Sequence, residues 1–345
     1  MGQFRYCVRW CALVGMCVGW LTTSLAADWA WVYRKRFDRK NESVQAKEQL
    51  FTRVGISEFT QLLCSWNVLR PQKGYFSIYL QARDSLSKQW GRWHHMADWG
   101  SGVQRSFMDK ADSFDQFVHV RLEVDKRRRA DGFRLKVVSQ DGVDSGLLKG
   151  LTVSVANFGV FAHEKAADAK KLPSVTIGDV PTISQFALAH EQNDSICSPT
   201  SCTMVTSFLM RKPFDPLNFA ANVYDFGLGA YGSWPFNIAH AFDMAGGRYR
   251  FFVARLNSFA QLHRQLVHGR PVVVSVRGPM DRAPRPYAGG HLLVVTGWDA
   301  KTGEVVCNDP AFPEHDLVQQ RYEVSEFLTA WERSHRLAYC VEPVV

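Results

Sequence analysis

The chain has 345 residues, of which 46% are apolar and 21% charged, and a formal net charge of +8. This length accommodates about two domains of ordinary size, and the composition is that of a globular protein, which excludes a mainly disordered chain. Much of the positive charge lies in two short runs, Arg34–Arg36 and Lys126–Arg129. The second run lies between alternating segments, which is typical of a solvated hairpin turn, so no nucleic-acid partner is expected.

The first 26 residues have the pattern of a signal peptide. Two arginines precede an apolar stretch from Trp10 to Leu21, and the small residues Ser24 and Ala26 occupy the positions expected before a cleavage site. The apolar stretch is shorter than the roughly 18–20 residues that span a bilayer, so a transmembrane anchor is the weaker alternative. The sequence therefore predicts a mature protein that begins near Ala27, is secreted or periplasmic, and has no integral membrane segment.

Residues 45–160 follow a short N-terminal segment at 27–44 and are predicted to form an all-β, sandwich-like domain. Apolar and polar residues alternate in Tyr75–Leu80, Phe117–Val124 and Phe133–Val138, which is the period of half-buried antiparallel strands. Four tryptophans crowd this half of the chain: Trp66, Trp90, Trp93 and Trp99. We interpret them as core residues, with a carbohydrate-binding platform as the alternative.

Residues 161–177 are polar, rich in Ala and Lys, and contain Pro173, which is typical of a linker. The pattern changes in residues 178–345, where two stretches have helical spacing of apolar residues and two are continuous apolar runs of the kind found in buried strands. In chain order they are Pro199–Met210, Phe259–His268, Pro271–Val276 and Leu292–Thr296. Helices and buried strands are therefore mixed in the second half.

Cysteine use indicates a free thiol. Three of the eight cysteines would be removed with the signal peptide, so five remain. Since five is an odd number, at least one cysteine of the exported protein cannot form a disulfide within the chain. A bond between Cys307 and Cys340 is conceivable. Cys202 lies on the apolar stripe of the predicted helix and is interpreted as a buried structural thiol.

Cys197 is the predicted nucleophile. Asp194 or Ser195 can cap the helix that begins around it, and the positive end of the helix dipole lowers the pKa of a thiol placed there, which favours the reactive thiolate. A structural cysteine that happens to precede a helix is the alternative.

His291 and Asp309 are the predicted partners of this thiol. A cysteine nucleophile needs a base within hydrogen-bond reach, and His291 opens a buried apolar strand that would hold its imidazole rigidly. A hairpin folded about Ala300 would place Asp309 nearly opposite His291, where the carboxylate could orient the imidazole. The alternative for Asp309 is a turn formed with Pro310.

Acyl transfer also requires a donor for the developing oxyanion beside the nucleophile's own backbone N–H. A side-chain amide upstream of the cysteine can provide it, so Gln185 is the candidate and Gln192 the alternative. No metal or cofactor is expected, because the histidines lack a ligand spacing such as His-Glu-x-x-His.

Several short stretches, in order along the chain, resemble papain-like cysteine peptidases of the bacteriocin-processing type (family thirty-nine), and in particular their exported, family-thirty-nine-like branch. They are Ile183–Gln185, Cys197–Ser201, Val223–Asp225, Tyr231–Asn237, Gly269–Ser275, Gly290–Gly297 and Asn308–Ala311. The resemblance covers about residues 178–343. It implies a papain-like α+β fold, with Cys197, His291 and Asp309 as catalytic residues and Gln185 at the oxyanion.

The resemblance also implies a substrate cleft, for which Trp234, Ser198 and Gly290 are the candidate binding residues. Family members usually have glycine directly after the cysteine, and Ser198 could narrow the site or alter the donated N–H in this chain. The sequence therefore predicts an exported cysteine peptidase that cleaves peptide or protein substrates, including substrates in the cell envelope, through a thioester acyl-enzyme. The alternative is a catalytically impaired peptidase fold that acts as an envelope-binding module.

Overall fold

The computed structural model describes residues 28–37, 47–110 and 113–344. The predicted signal peptide and its cleavage site lie outside the described residues. Within these ranges the chain is an α+β structure, with two antiparallel sheets in the first half and a third sheet with helices in the second. No helix in these three ranges is long and apolar enough to cross a membrane.

The first sheet has five antiparallel strands. In spatial order they are β1 (Ala30–Arg36), β10 (Leu148–Ala156), β3 (Gln61–Val68), β8 (Arg121–Val124) and β7 (Asp115–Val118). β1 lies in the segment 27–44 and pairs with β10, with Ala30 opposite Ala156. The sheet therefore begins earlier in the chain than the predicted domain boundary at residue 45.

The predicted strand Phe117–Val124 is a hairpin instead. Its arms are β7 and β8, and its turn is formed by His119 and Val120, whose φ angles are 45° and 58°. Because the turn has two residues, Phe117 lies opposite Leu122, and the buried positions change from odd-numbered residues on β7 to even-numbered residues on β8. The single alternation predicted over this stretch therefore breaks at the turn.

The second sheet also has five antiparallel strands. In spatial order they are β2 (Glu48–Phe59), β9 (Ala130–Gln140), β4 (Tyr75–Asp84), β5 (His94–Gly100) and β6 (Gln104–Ser106). The basic run Lys126–Arg129 connects β8 in the first sheet to β9 in the second, so it is a crossover between sheets and not the predicted hairpin turn. Buried side chains of both sheets belong to one apolar core.

The four tryptophans of this half occupy two kinds of site. Trp66 and Trp99 are fully buried in the core, as predicted. Trp90 and Trp93 are half-buried, and a cation covers one face of each ring, with Arg134 at 3.9 Å and Lys136 at 4.6 Å from the ring centroids. Since these ring faces are already occupied, the arrangement disfavours the alternative of a carbohydrate platform.

The third sheet has seven strands and forms the centre of the second half. In spatial order they are β12 (Tyr249–Arg255), β17 (Leu337–Pro343), β13 (Val272–Gly278), β14 (Tyr287–Asp299), β15 (Glu304–Asn308) and β16 (Gln319–Glu323), with β11 (Val175–Thr176) also paired to β14. The helices are α1 (Ala166–Ala169), α2 (Cys197–Met210), α3 (Pro216–Ala221), α4 (Trp234–Met244), α5 (Phe259–Val267) and α6 (Val324–Glu332). The predicted helices and buried strands of this half are present, and α2 packs against β14.

The predicted linker, residues 161–177, packs on the second half and contains α1 and β11. Its carbonyl groups accept hydrogen bonds from the third sheet and from α5: Leu172 from the Trp298 indole at 3.0 Å, and Pro173 from the His263 ring at 2.8 Å. The segment is therefore fixed in place and does not act as a free tether.

Direct hydrogen bonds also join the two halves of the chain. The Asn67 side-chain amide on β3 donates to the backbone oxygen of Phe251 at 2.7 Å, and the Val253 N–H on β12 donates to Ser65 Oγ at 3.0 Å. Because β3 also packs against α4, the apolar core runs continuously from the first half into the second.

All five cysteines among the described residues are free. Cys307 lies on β15 and Cys340 on β17, with β13 and β14 between them. Three strand spacings amount to about 14 Å, whereas the Cα atoms of a disulfide are at most about 7 Å apart. The structure therefore excludes the conceivable bond between these two residues.

Candidate active site

Cys197 is the first residue of α2, and Ile196 occupies the capping position before it. The predicted capping residues, Asp194 and Ser195, lie instead in a short 3-10 turn, where the Ser195 hydroxyl donates to the Asp194 carboxylate at 2.9 Å. No side chain among the described residues caps α2. The first N–H groups of the helix thus stay available to the sulfur, and that of Ser198 donates to it.

His291 lies on β14 beside the start of α2. The two elements are tied together by the Ser201 hydroxyl, which donates to the backbone oxygen of Leu292 at 3.0 Å. The imidazole is hydrogen-bonded to the Cys197 thiol, and the Leu292 N–H also donates to the sulfur. Nε2 of His291 lies 2.7 Å from Oδ1 of Asp309, which leaves Nδ1 to face the thiol. The structure thus brings the three predicted residues into one line of contacts.

The hairpin that carries His291 and Asp309 has a different register from the predicted one. Val294 lies opposite Asn308, a bulge follows Val295, and the ladder ends with Asp299 opposite Glu304. Asp309 therefore lies diagonally from His291 and not opposite it. Diagonal neighbours on one face of a sheet are within reach of long side chains, which is why the contact forms despite the shift.

Asp309 is fully buried and accepts four hydrogen bonds. Oδ1 accepts from His291 and from the Ala311 N–H at 3.0 Å, and Oδ2 accepts from the hydroxyls of Tyr287 and Tyr322, each at 2.6 Å. The hydrogen bond from Ala311 closes the turn at Pro310 that the alternative interpretation predicted. The carboxylate therefore both orders this turn and binds the imidazole. Burial raises the pKa of Asp309, but the charge and hydrogen bond of His291 and the tyrosine hydroxyls hold it below its ordinary value.

The thiol and the imidazole have opposite pKa shifts. Burial lowers the pKa of His291, but the charge and hydrogen bond of Asp309, followed by those of Cys197, raise it to about 9. Burial raises the pKa of Cys197, but the hydrogen bond and charge of His291 and two backbone N–H groups bring it below the ordinary value. Both shifts favour a thiolate beside an imidazolium, which combines a nucleophile with a proton donor.

Cys202 has none of these contacts. It is 4% exposed and lies among apolar side chains of α2, α4 and the third sheet, and burial raises the pKa of its thiol well above the ordinary value. Its position fits the interpretation as a structural residue. In the described part of the chain, no three His, Cys, Asp or Glu side chains are grouped so as to hold a metal ion.

Gln185 connects the segments that carry the nucleophile and the carboxylate. Its backbone N–H donates to the oxygen of Pro310 at 2.9 Å, and its Nε2 donates to the oxygen of Asn193 at 2.7 Å. The amide nitrogen carries a second N–H. Gln192, the alternative candidate, is exposed at the start of the 3-10 turn. Of the two side chains, that of Gln185 is therefore the one enclosed between these segments.

The model of the Peptidase_C39 like family matches residues 177–339. This part of the chain is a C39-like, papain-like peptidase domain. The predicted resemblance is thereby confirmed, and the match contains Gln185, Cys197, His291 and Asp309. No curated protein matches the chain.

Ser198 in the C39-like domain does not face a cleft. Its side chain is fully buried, and its Oγ lies 3.0 Å from the hydroxyl of Tyr339. The prediction that this side chain binds substrate or narrows the site was wrong, because the first turn of α2 directs it into the core. Only its backbone N–H faces the Cys197 sulfur.

Replacing Ser198 with glycine, the residue usual in the family, is expected to lower the free energy of unfolding by about 1–3 kcal/mol. The change leaves the buried Tyr339 hydroxyl without its partner and adds backbone freedom to a helix. The alkylation rate of Cys197 should change little, because the N–H at position 198 remains. Urea denaturation and iodoacetamide labelling test this, with Ser198→Ala as the control that removes only the hydroxyl. Faster alkylation at unchanged stability would show that the side chain obstructs the site.

Trp234 and Gly290 are accessible to solvent in the C39-like domain. Trp234 is the partly exposed first residue of α4, and Gly290 is exposed directly before His291 with a φ angle of 95°. Only glycine adopts this backbone conformation readily, so a side chain at position 290 would strain the strand that carries the imidazole. Their role in substrate binding stays a prediction.

The sequence interpretation missed two tyrosines of the C39-like domain. The Tyr287 ring stacks on His291, with centroids 4.2 Å apart and planes inclined by 22°, and Tyr322 donates from β16. A signal existed for Tyr287, since it precedes His291 by four residues on one strand and thus shares its face. Tyr322 lies opposite Val305 only through the pairing of β15 with β16, which no local pattern in the sequence indicates.

Proposed function

We propose that the protein is a cysteine peptidase that hydrolyses peptide bonds through a thioester acyl-enzyme. The observation that carries the proposal is the hydrogen-bonded line from Cys197 through His291 to Asp309 within a C39-like domain. A thiolate in contact with an imidazolium is the pair that this chemistry requires. Asp309 keeps the imidazolium charged and correctly oriented.

In the first half of the proposed reaction the Cys197 sulfur attacks the carbonyl carbon of the scissile bond. A C–S bond forms and the carbonyl electrons move to oxygen, where the backbone N–H of Cys197 and the second N–H of Gln185 are the proposed donors. When the tetrahedral adduct collapses, the C–N bond breaks and His291 gives its proton to the departing amine. The product is a thioester on Cys197.

The second half releases the acyl group. Neutral His291 takes a proton from water as its oxygen attacks the thioester carbon, and the C–S bond breaks to return the thiolate and release a carboxylic acid. The same imidazole serves as acid and then as base. Its contacts with Asp309 hold one orientation throughout.

Export from the cytoplasm is part of the proposal. It is supported by the basic and apolar pattern of residues 1–26. We propose that the substrates are peptides or proteins outside the cytoplasm, including those of the cell envelope. We also propose that the two sheets of the first half form the layers of a β-sandwich, which is supported by the core that they share.

Iodoacetamide labelling followed by intact-protein and peptide mass spectrometry tests the proposal. At pH 7 the folded mature protein, which lacks the three cysteines of residues 1–26, is expected to gain one label, at Cys197, since burial raises the thiol pKa of the other four described cysteines. Cys197→Ala should remove both the label and the cleavage of a peptide library. An unlabelled Cys197 in the folded protein, or cleavage that survives Cys197→Ala, would overturn the proposal; the first result would favour the envelope-binding module.

A further inference from the structure

The loop between α3 and α4 carries three aromatic rings beside the segment that leads to Cys197. Tyr231 packs edge-on against His190, with ring centroids 5.3 Å apart, and its hydroxyl lies 3.3 Å from the His190 ring. Tyr224 contacts Tyr231 at 4.9 Å and Phe226 at 5.1 Å. Phe226 is 73% exposed. We call Tyr224, Phe226 and Tyr231 the aromatic wall, an apolar surface that is open to solvent.

A buried carboxylate fixes the aromatic wall to the first half of the chain. Asp225 is fully buried, and it accepts hydrogen bonds from the Ser106 N–H at 2.8 Å and the Ser106 hydroxyl at 2.5 Å. The Phe226 N–H donates to the oxygen of Gln104 at 3.1 Å, and the Gln104 side chain donates to the oxygen of Tyr224 at 2.8 Å. The short strand β6 thus holds the loop through four hydrogen bonds, two to the Asp225 carboxylate and two to the backbone of wall residues.

Two further contacts show that this junction is closely fitted. The Arg70 guanidinium bridges the halves, because it donates to Gln104 Oε1 at 2.7 Å and to the backbone oxygen of Asn222 at 2.9 Å. At Gly227 an added Cβ would lie 1.8 Å from the backbone oxygen of Ser106. No side chain fits there, so the loop can rest on β6 only with glycine at this position.

We propose that β6 is a fixed support of the substrate cleft and that the aromatic wall receives an apolar, preferably aromatic, side chain of the peptide substrate. The proposal rests on the peptidase function proposed above and assigns the first half of the chain a part in substrate binding. Aromatic rings bind apolar or aromatic partners most favourably. When a ligand covers the exposed ring of Phe226, its apolar surface is removed from water, which stabilises the complex. The position beside the Cys197 segment favours a peptide as the occupant.

Peptide binding in the Cys197→Ala background tests the proposal without requiring turnover. Fluorescence anisotropy with a positional-scanning library of hexapeptides should show one position at which Phe binds at least about 10-fold more tightly than Ala, the effect of an apolar group in a fitted pocket. Adding Phe226→Ala should reduce this ratio to less than about threefold, because the exposed part of the wall is lost. Adding Gly227→Ala should do the same without altering any ring, because it displaces the loop from β6.

Gly178→Ala is the matched control, since an added Cβ there meets open space and no positive φ angle is required. It should keep the full preference for Phe. A library without any preference for aromatic residues, or a preference that survives both Phe226→Ala and Gly227→Ala, would overturn the proposal. If only the proposed peptidase function is wrong, the result is different. Peptides then bind the Cys197→Ala protein with this preference, but the wild-type protein does not cleave them.

Discussion

Replacing His291 with alanine is expected to slow the alkylation of Cys197 at pH 7 by about 10²–10⁴-fold and to abolish measurable peptide hydrolysis. In the wild type the imidazolium charge and hydrogen bond offset the burial that would otherwise raise the thiol pKa. Without the ring, only the backbone N–H groups of Leu292 and Ser198 oppose burial. The thiol pKa therefore rises, and the fraction of reactive thiolate at neutral pH falls.

The pKa shifts of Cys197 and His291 determine how the alkylation and hydrolysis rates change with pH. The wild-type thiolate persists to below the ordinary thiol pKa, and the imidazolium that protonates the leaving amine persists up to about pH 9. Alkylation should therefore reach its maximum at a lower pH than that of an ordinary thiol, and hydrolysis should fall above about pH 9 as His291 loses its proton. In His291→Ala the alkylation rate should rise only at alkaline pH. His268→Ala, at an exposed site directly after α5, is the control. An alkylation profile unchanged by His291→Ala would contradict the assignment.

The local part of the site could be predicted from the sequence because local patterns determine it. A helix start at Cys197, a buried strand after His291 and a turn sequence before Asp309 each appear within a few residues. The hairpin register could not be predicted, because a bulge between Val295 and Gly297 and a longer turn move every pair. The contact survived this error because it needs only a shared face of the sheet, which an even shift of register preserves.

The remaining contacts depend on residues far apart in the sequence. Ser198 is directed into the core because Tyr339, 141 residues away, receives it there. The junction of Ser106 with Asp225 joins residues 119 positions apart. Neither partner is indicated by periodicity, since a pattern gives the face of an element and not what lies against that face. The same reason explains why the segment 161–177 has the composition of a linker although it packs closely.

Asp309→Asn is expected to reduce peptide hydrolysis by about 10²–10⁴-fold and to lower the free energy of unfolding by about 3–5 kcal/mol. The amide keeps the size of the carboxylate but has one acceptor oxygen where four donors converge. If its oxygen faces His291, its NH₂ group faces the hydroxyls of Tyr287 and Tyr322, which must then turn to accept. The larger effect is electrostatic, because the buried imidazolium loses its counter-charge.

The direction in which the pH–rate profile moves distinguishes two roles of Asp309, namely orienting the imidazole and supplying its counter-charge. Burial lowers the pKa of His291 and Asp309 is the main group that raises it to about 9, so in Asp309→Asn the basic limb of the hydrolysis profile should move to lower pH. Tyr322→Phe removes one donor to the same carboxylate but leaves its charge, so it should keep the basic limb and lose less than about 10-fold in rate. Urea denaturation and pH–rate profiles of both variants measure this. A basic limb that stays in place in Asp309→Asn would show that Asp309 only fills space beside the imidazole.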